Sequence, residues 1–437
     1  MSRRAASSHL ALAAAFGAAL SLSLAPMAHA QKPSADLKTL SPTPTTYTPK
    51  KTPWGDWDFT GTWPYDYPAQ AKILFQRPGG YGDRLWLSPE EHAKRLANAG
   101  RSDSAYNPEK TGITTQAGTQ GLGDWVKNSD FSWRTSLLVS PKNGQLPPLT
   151  PHAEALFKVG RSGWVPNQTF DWVDDFDTWD RCITRGFPAS VFPNRYNNAL
   201  HVSQSPGYIV LDYEILATRI VPIVKKEDVH RHWPANVEAW MGDARAYWEG
   251  KTLVIETTNI KSGDSATRDP DRRAASPVIN TMIGGYPRNT IPTSTKAHTI
   301  ERLTMTGPKS ILYEITYDDP EVFTAPWTAQ LEWTKDDSYL MPEYACHEGD
   351  EQIRNYITSS RAARAATKDG KLDAKYNDGN ARWDRQFDVD PVAPGAQPAA
   401  PRDARNAPSA AKGSAPAQGA GATGSAPAAP AAAAPPG

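Results

Sequence analysis

Cysteine is nearly absent from this 437-residue chain, which holds only Cys182 and Cys346. Two thiols so far apart in sequence make neither a C-x-x-C redox pair nor a four-thiolate zinc site. Net charge is missing as well, since 47 Lys and Arg face 47 Asp and Glu. Without a basic field nothing neutralises a phosphate backbone or holds the chain to an anionic lipid surface, which excludes nucleic acid as an expected partner. Past the first thirty residues no apolar run approaches the roughly 20 residues needed to cross a bilayer, so no membrane span is expected. Catalytic signatures are also lacking. There is no H-E-x-x-H and no G-x-S-x-G, while Gly118, Gly121 and Gly123 follow no strand-like run and lead into no G-x-x-x-x-G-K. No repeat of propeller length recurs.

What is present begins at the N-terminus. Ser2-Arg3-Arg4, an apolar run from Leu10 to Ala25 and Ala28-His29-Ala30 read together as a secretory signal peptide over 1–30, leaving Gln31 first in the mature chain. The expected location is the periplasm or the exterior. The residues after the paired arginines, Ala5-Ala6-Ser7, lack the apolar pair of a twin-arginine signal, so Sec export is the better reading. In such a compartment Cys182 and Cys346 are expected to form one bridge, and closing so long a loop stabilises by about 4 to 5 kcal/mol through chain entropy.

Composition divides the remainder. Residues 31–53, rich in Pro, Thr, Ser and Lys, read as a tether, and 391–437, mostly Ala, Pro and Gly, as a disordered tail behind a polar connector at 366–390. Residues 54–207 form an aromatic-rich part in which Trp54, Trp57, Phe59, Trp63, Tyr65 and Tyr67 read as a first strand. Ser88-Pro89-Glu90-Glu91 is a capping box that opens a helix to about Asn98, and Thr150-Pro151-His152-Ala153-Glu154 opens a second ending near Gly160. Residues 208–365 carry seven β-branched and aromatic runs: 208–215, 218–224, 244–248, 252–258, 299–305, 311–317 and 328–334. In the sixth, Ile311, Tyr313, Ile315 and Tyr317 alternate with other residues and mark one buried face. Hairpin turns are expected at Glu249-Gly250-Lys251 and at Thr306-Gly307-Pro308-Lys309. The fold class that follows is mainly β, an antiparallel meander closing as a calycin-like barrel or a sandwich, packed with the preceding part as one domain and with short helices in the N-terminal half.

The segment from Trp240 to Thr257, W-M-G-D-A-R-A-Y-W-E-G-K-T-L-V-I-E-T, carries a further signal together with Arg181-Cys182-Ile183-Thr184-Arg185-Gly186-Phe187-Pro188 and Glu343-Tyr344-Ala345-Cys346-His347-Glu348-Gly349. In these stretches, and at Asp319-Pro320 and Pro326-Trp327, the chain resembles a large group of uncharacterised secreted bacterial proteins over roughly Trp57 to Arg361. Thr184 stands where that group has proline and Lys251 where it has aspartate. The resemblance implies export and no particular reaction.

Candidate chemistry rests on few residues. His347 and Glu348, beside Cys346, pair an imidazole with a carboxylate on a corner that a disulfide would hold, a combination suited to moving protons near neutral pH. His232 and Asp243 are candidates to join them. His230-x-His232 puts two rings on one face of an extended stretch and is the candidate metal pair, with His347, Glu348 or Asp243 as further ligands. In Phe170 to Asp180, Trp172, Phe176 and Trp179 read as the buried stripe of a short helix, which leaves the five interspersed aspartates in a solvated role rather than as a calcium loop or a glycosidase pair.

No organic cofactor is implied, and nothing in the residues fixes an oligomeric state. Three functions remain: a binding module holding a small apolar or aromatic molecule inside the barrel, a general acid–base enzyme of the lyase, isomerase or hydrolase type, and a structural envelope protein tethered by its tail.

Overall fold

The computed structural model describes residues 31–64, 73, 75–104, 132–159, 169–176, 178, 180–184, 186–193, 199–261, 291 and 293–371. The signal peptide, Tyr65, Tyr67, Gly118, Gly121, Gly123, Trp179 and the tail at 391–437 lie outside them.

The chain is mainly β. Short strands β1 (Gly61–Thr62) and β2 (Leu138–Ser140) precede β3 (Leu200–Ser205), β4 (Tyr208–Tyr213) and β5 (Ala217–Pro222). Then follow β6 (Asp243–Glu249), β7 (Thr252–Thr258), β8 (His298–Gly307), β9 (Ser310–Asp318) and β10 (Trp327–Thr334). These pair antiparallel into a four-stranded sheet, β1-β3-β4-β5, and a six-stranded one, β2-β10-β9-β8-β7-β6. All seven expected runs are strands. Both expected hairpins form with two-residue turns, Glu249 facing Thr252 and Gly307 facing Ser310.

The expected barrel does not close among the described residues. On one side β5 and β6 are joined by a single parallel bridge, Ile223 to Ala246, and on the other Asp336 N–H reaches Thr62 O at 3.0 Å. Two sheets facing one another across a shared core is the sandwich-like alternative.

That core explains the alternation. Leu200, Val202, Ile209, Leu211 and Val221 from the smaller sheet meet Leu253, Ile255, Leu303, Leu331 and Trp333 from the larger. Ile311, Tyr313, Ile315 and Tyr317 are all 0% exposed, as their spacing predicts. Aromatics stack across β9 and β10: Tyr317 on its register partner Trp327 at 5.0 Å between ring centroids, and Tyr313 on the diagonal Trp333 at 4.7 Å. Burying such a side chain contributes on the order of 2 to 3 kcal/mol. The interior between the sheets is thus occupied by the chain's own aromatics.

Among the described residues three α-helices flank the sheets. α1 (Pro89–Ser104) starts with the expected capping box, Ser88 N–H to Glu91 Oε2 at 2.8 Å and Glu91 N–H to Ser88 Oγ at 3.2 Å, and runs beyond Asn98. α2 (Pro151–Val159) is capped by Thr150, whose Oγ1 accepts Ala153 N–H at 3.1 Å. α3 (Glu351–Lys368) adds a long helix in the C-terminal half, outside the expected placement. No helix among the described residues is long and apolar enough to cross a membrane. Cys182 and Cys346 are bonded, with Cα atoms 5.8 Å apart.

Two local expectations are corrected. The described residues of 170–180 contain no full helix, only a 3-10 turn at Val173–Asp175, and Trp172 is 59% exposed while Phe176 is buried. The Asp175 carboxylate accepts the N–H groups of Asp171 and Trp172 at 2.6 and 2.9 Å, closing the segment into a turn before a helix can propagate. Residues 31–53, expected as a tether, are a strap laid on the body. Leu37 O accepts Leu85 N–H at 2.9 Å, Trp86 Nε1–H donates to Thr39 O at 2.8 Å, and Lys251 Nζ reaches Thr45 O and Tyr47 O at 2.7 and 2.6 Å. Body side chains supply the donors that the strap's composition cannot pair for itself.

Candidate functional site

The outward face of the larger sheet is where polar strand residues gather. A two-residue turn at Gly250-Lys251 fixes the register of β6 on β7, and that register sets Arg245 opposite Glu256; β8 then places Ile300 on the other side of Glu256. Side chains directly opposite one another share a face. Glu256 is consequently the middle of a row, Arg245–Glu256–Ile300, that faces away from the core. His298 opens β8 on the same face.

Above this row lies the loop from Lys225 to Gly242. It is pinned at its far end by Asn259, whose side-chain amide donates to Pro234 O at 2.9 Å and Val237 O at 2.8 Å. At its near end Gly242 has φ +71°, and a Cβ there would come within 2.5 Å of Thr257 Cγ2 and 2.6 Å of Thr258 O. Only glycine lets the loop descend so closely onto β7, and the descent delivers Asp243 to the start of β6.

The loop brings His230 and His232 down on the Glu256 carboxylate. His230 Nδ1 lies 2.9 Å from Oε1, His298 Nε2 3.2 Å from the same oxygen and His232 Nε2 3.7 Å from it. On its other edge His232 Nδ1 is 3.1 Å from Asp243 Oδ2, an oxygen that also accepts Trp233 N–H at 2.8 Å. That oxygen is an acceptor, so the imidazole proton is assigned to Nδ1 and the neutral ring presents a bare Nε2 to Glu256. At 3.7 Å the Nε2 to Oε1 contact is too long for a hydrogen bond. His232 Nε2 is buried with no hydrogen-bond partner, and its side chain is only 10% exposed.

The electrostatics follow from this crowding. Burial works to raise the Glu256 carboxyl, but the hydrogen bond from His230 and the charges of His298 and His230 outweigh it and hold the group below the ordinary 4.5. Access is graded from the buried dyad outward: the His232 and Asp243 side chains are 10% and 6% exposed, Glu256 11%, His298 36% and His230 75%.

Of the residues named from sequence, His230, His232 and Asp243 meet here. His347 and Glu348 do not join them. Both are exposed on the 3-10 turn His347–Gly349 that follows Cys346, and among the described residues no ion pair or hydrogen bond links them to His232 or Asp243. Among the described residues no group of three or more His, Cys, Asp or Glu is arranged to hold a metal ion, and the expected pair His230 and His232 turns instead to one carboxylate. Glu256 and His298 are absent from the sequence-based candidates. The hairpin register contains the signal for Glu256, which follows three consecutive apolar residues in β7, while His298 is a lone histidine at a strand start.

No protein family, curated protein or solved structure matches the chain.

Further along the same outward face a cavity of about 150 Å³ opens between the strap and the sheet, lined by Thr43, Thr45, Thr252, Arg302, Thr304, Leu312 and Glu314. Its lining mixes polar and apolar surface and it lies outside the sheets, unlike the apolar interior site expected from the aromatic content.

Proposed function

We propose that the protein is a general acid–base enzyme of the lyase, isomerase or hydrolase type, exported through its N-terminal leader and stabilised outside the cytoplasm by the Cys182–Cys346 bridge. The observation that carries this reading is the buried His232 imidazole, oriented by Asp243 at Nδ1 and unpartnered at an Nε2 that faces Glu256. A catalytic base needs a fixed tautomer and a free lone pair, and a structural histidine is satisfied at both nitrogens.

Roles follow from exposure and charge. Glu256, flanked by the more exposed imidazoles of His230 and His298, is the group that takes a proton from substrate. Because its carboxyl is held below 4.5, it stands ionised to accept and then releases the proton readily; closure of the 3.7 Å gap when substrate binds brings His232 Nε2 into reach to take it, and Asp243 stabilises the resulting imidazolium. His298, one third exposed and 3.2 Å from Glu256, is the acid that returns a proton to the leaving or rearranging group. His347 and Glu348 are assigned no step.

The aromatic-filled core favours this reading over a module that stores an apolar molecule between the sheets. Kinship with the secreted group whose W-M-G and E-G-D-T-L-V-V-E-T patterns this chain closely follows, with Lys251 at the aspartate position, is part of the same proposal, resting on those motifs.

Two measurements test it. Nitrogen-15 spectra of histidine-labelled protein at pH 8 are expected to show His232 protonated at Nδ1 and bare at Nε2; the opposite tautomer, a donor to Glu256, removes the base and overturns the reading. Turnover of small carbonyl compounds in heavy water, followed as deuterium uptake or bond cleavage by mass spectrometry, is expected to fall at least 100-fold in Glu256→Gln and His232→Gln, the scale of a lost general base. It is expected to survive in His347→Ala. Activity that persists in Glu256→Gln contradicts the assignment.

A further inference from the structure

The row that places Glu256 also ranks its neighbours by chemistry. Adjacent strands stand about 4.8 Å apart, so Arg245 and Ile300 flank the reacting carboxylate at that spacing, one cationic and one apolar. Arg245 is underused. Its side chain is 23% exposed, its closest charge contact among the described residues is Nε to Asp243 Oδ2 at 3.6 Å, and Nε takes part in no hydrogen bond there. Asp243 Oδ2 is already engaged by His232 and the Trp233 amide, so the guanidinium is left with donors to offer. A guanidinium held beside an acid–base centre with unspent donors is suited to bind a planar anion through two parallel hydrogen bonds.

The other flank is apolar. Ile300 faces outward from β8 and is 38% exposed, and Trp233 in the loop above is 43% exposed. Apolar surface left open beside a charged centre is what a mixed polar and apolar ligand requires.

We infer that the site takes a small carboxylic acid with an apolar or aromatic body, its carboxylate on Arg245 and its body on Ile300, so that the bonds between them cross Glu256. The inference names the substrate class of the acid–base site and rests on that reading, but it concerns binding and is measured without turnover. Lysine in place of Arg245 would keep the charge and lose the fork; glutamine would lose both.

Calorimetric titration of the full-length protein with phenylacetate, and with the isosteric but neutral phenylacetamide, tests it. Phenylacetate is expected to bind with Kd of about 1 mM or tighter, and the amide at least ten-fold more weakly. Arg245→Gln is expected to weaken phenylacetate at least ten-fold, Arg245→Lys by less, and Ile300→Ser to weaken phenylacetate while leaving acetate unchanged. His347→Ala, outside the site, is expected to bind phenylacetate as the parent does, and because the titration reads binding alone, loss of turnover in His232→Gln speaks to the proton transfer and not to the substrate class. Equal binding of acid and amide, unchanged binding in a folded Arg245→Gln protein, or no heat with phenylacetate up to about 10 mM overturns the inference.

Discussion

Glu256 shows how one residue can be ordinary in sequence and decisive in place. In the run from Thr252 to Thr258 it reads as the lone charge after the apolar Leu253, Val254 and Ile255; nothing local reveals that three imidazoles converge on it. Those contacts give it a pH signature. Its carboxyl is depressed below 4.5 in the folded protein and returns to an ordinary value on unfolding, so the unfolded chain binds the proton more tightly. The stabilisation is therefore fully present above the unfolded value near 4.5 and is lost as pH falls through the lower folded value. Thermal melts of the parent and Glu256→Gln from pH 7 to pH 3 are expected to converge across that window, with the parent ahead only at the upper end. Curves that stay parallel would show that the histidine contacts do not favour the ionised form.

At the scale of elements, legibility follows length and regularity. Seven strands were readable because each keeps enough alternating or β-branched residues to show a period. β1 and β2, of two and three residues, are too short to show one, and β3 hides Leu200 and Val202 in a polar run ending in Gln204 and Ser205. The 170–180 segment failed for another reason: its aromatic spacing fits a helix, but Asp175 captures two backbone amides locally and holds a turn. α3 runs on to Lys368 because Ala and Arg carry the helix without needing burial, and none of its residues is buried. Such a helix must be held from outside. It is anchored by Cys346 just before it, by Tyr356 against Phe170 at 5.7 Å, by Ser360 Oγ accepting Phe170 N–H at 3.0 Å, and by Arg364 on Asp171. Removing the bridge in a Cys182→Ser, Cys346→Ser protein is expected to raise amide exchange in 351–368 sharply while β7, β8 and β9 keep their protection, because few contacts remain to re-dock the helix. If hydrogen exchange shows α3 as slow as before, the aromatic and Asp171 contacts suffice and the bridge serves only the unfolded state.

For the whole molecule the question is what joins two sheets whose edges meet through isolated bonds. Part of the answer crosses the core. Arg219 on β5 of the smaller sheet makes a bidentate pair with Glu301 on β8 of the larger, at 2.8 and 2.6 Å, and its second nitrogen also donates to Thr257 at 2.9 Å. Tyr313 OH donates to the same carboxylate at 2.8 Å, and the guanidinium lies 4.4 Å from the centre of the Phe187 ring. The Arg219 and Glu301 side chains are 2% and 0% exposed. No period or motif announces this pair, since on strands read by alternation a buried arginine and glutamate look like errors in the pattern. Burial opposes the charge on Arg219, and the Glu301 carboxylate more than offsets it, raising the guanidinium above its ordinary value. A pair of this kind is costly to break and much less costly to replace. Glu301→Gln leaves a buried cation without its counter-charge and is expected to lose about 3 to 5 kcal/mol in denaturant unfolding. The double variant Arg219→Met, Glu301→Leu removes both charges, keeps the volume, and is expected to recover most of that loss, short of about 1 to 2 kcal/mol for the hydroxyls of Tyr313 and Thr257 left without partners. Should the double variant unfold as easily as the single one, the contact between the sheets depends on the directional geometry of the ion pair itself, and apolar packing around it is too weak to hold the two layers in register.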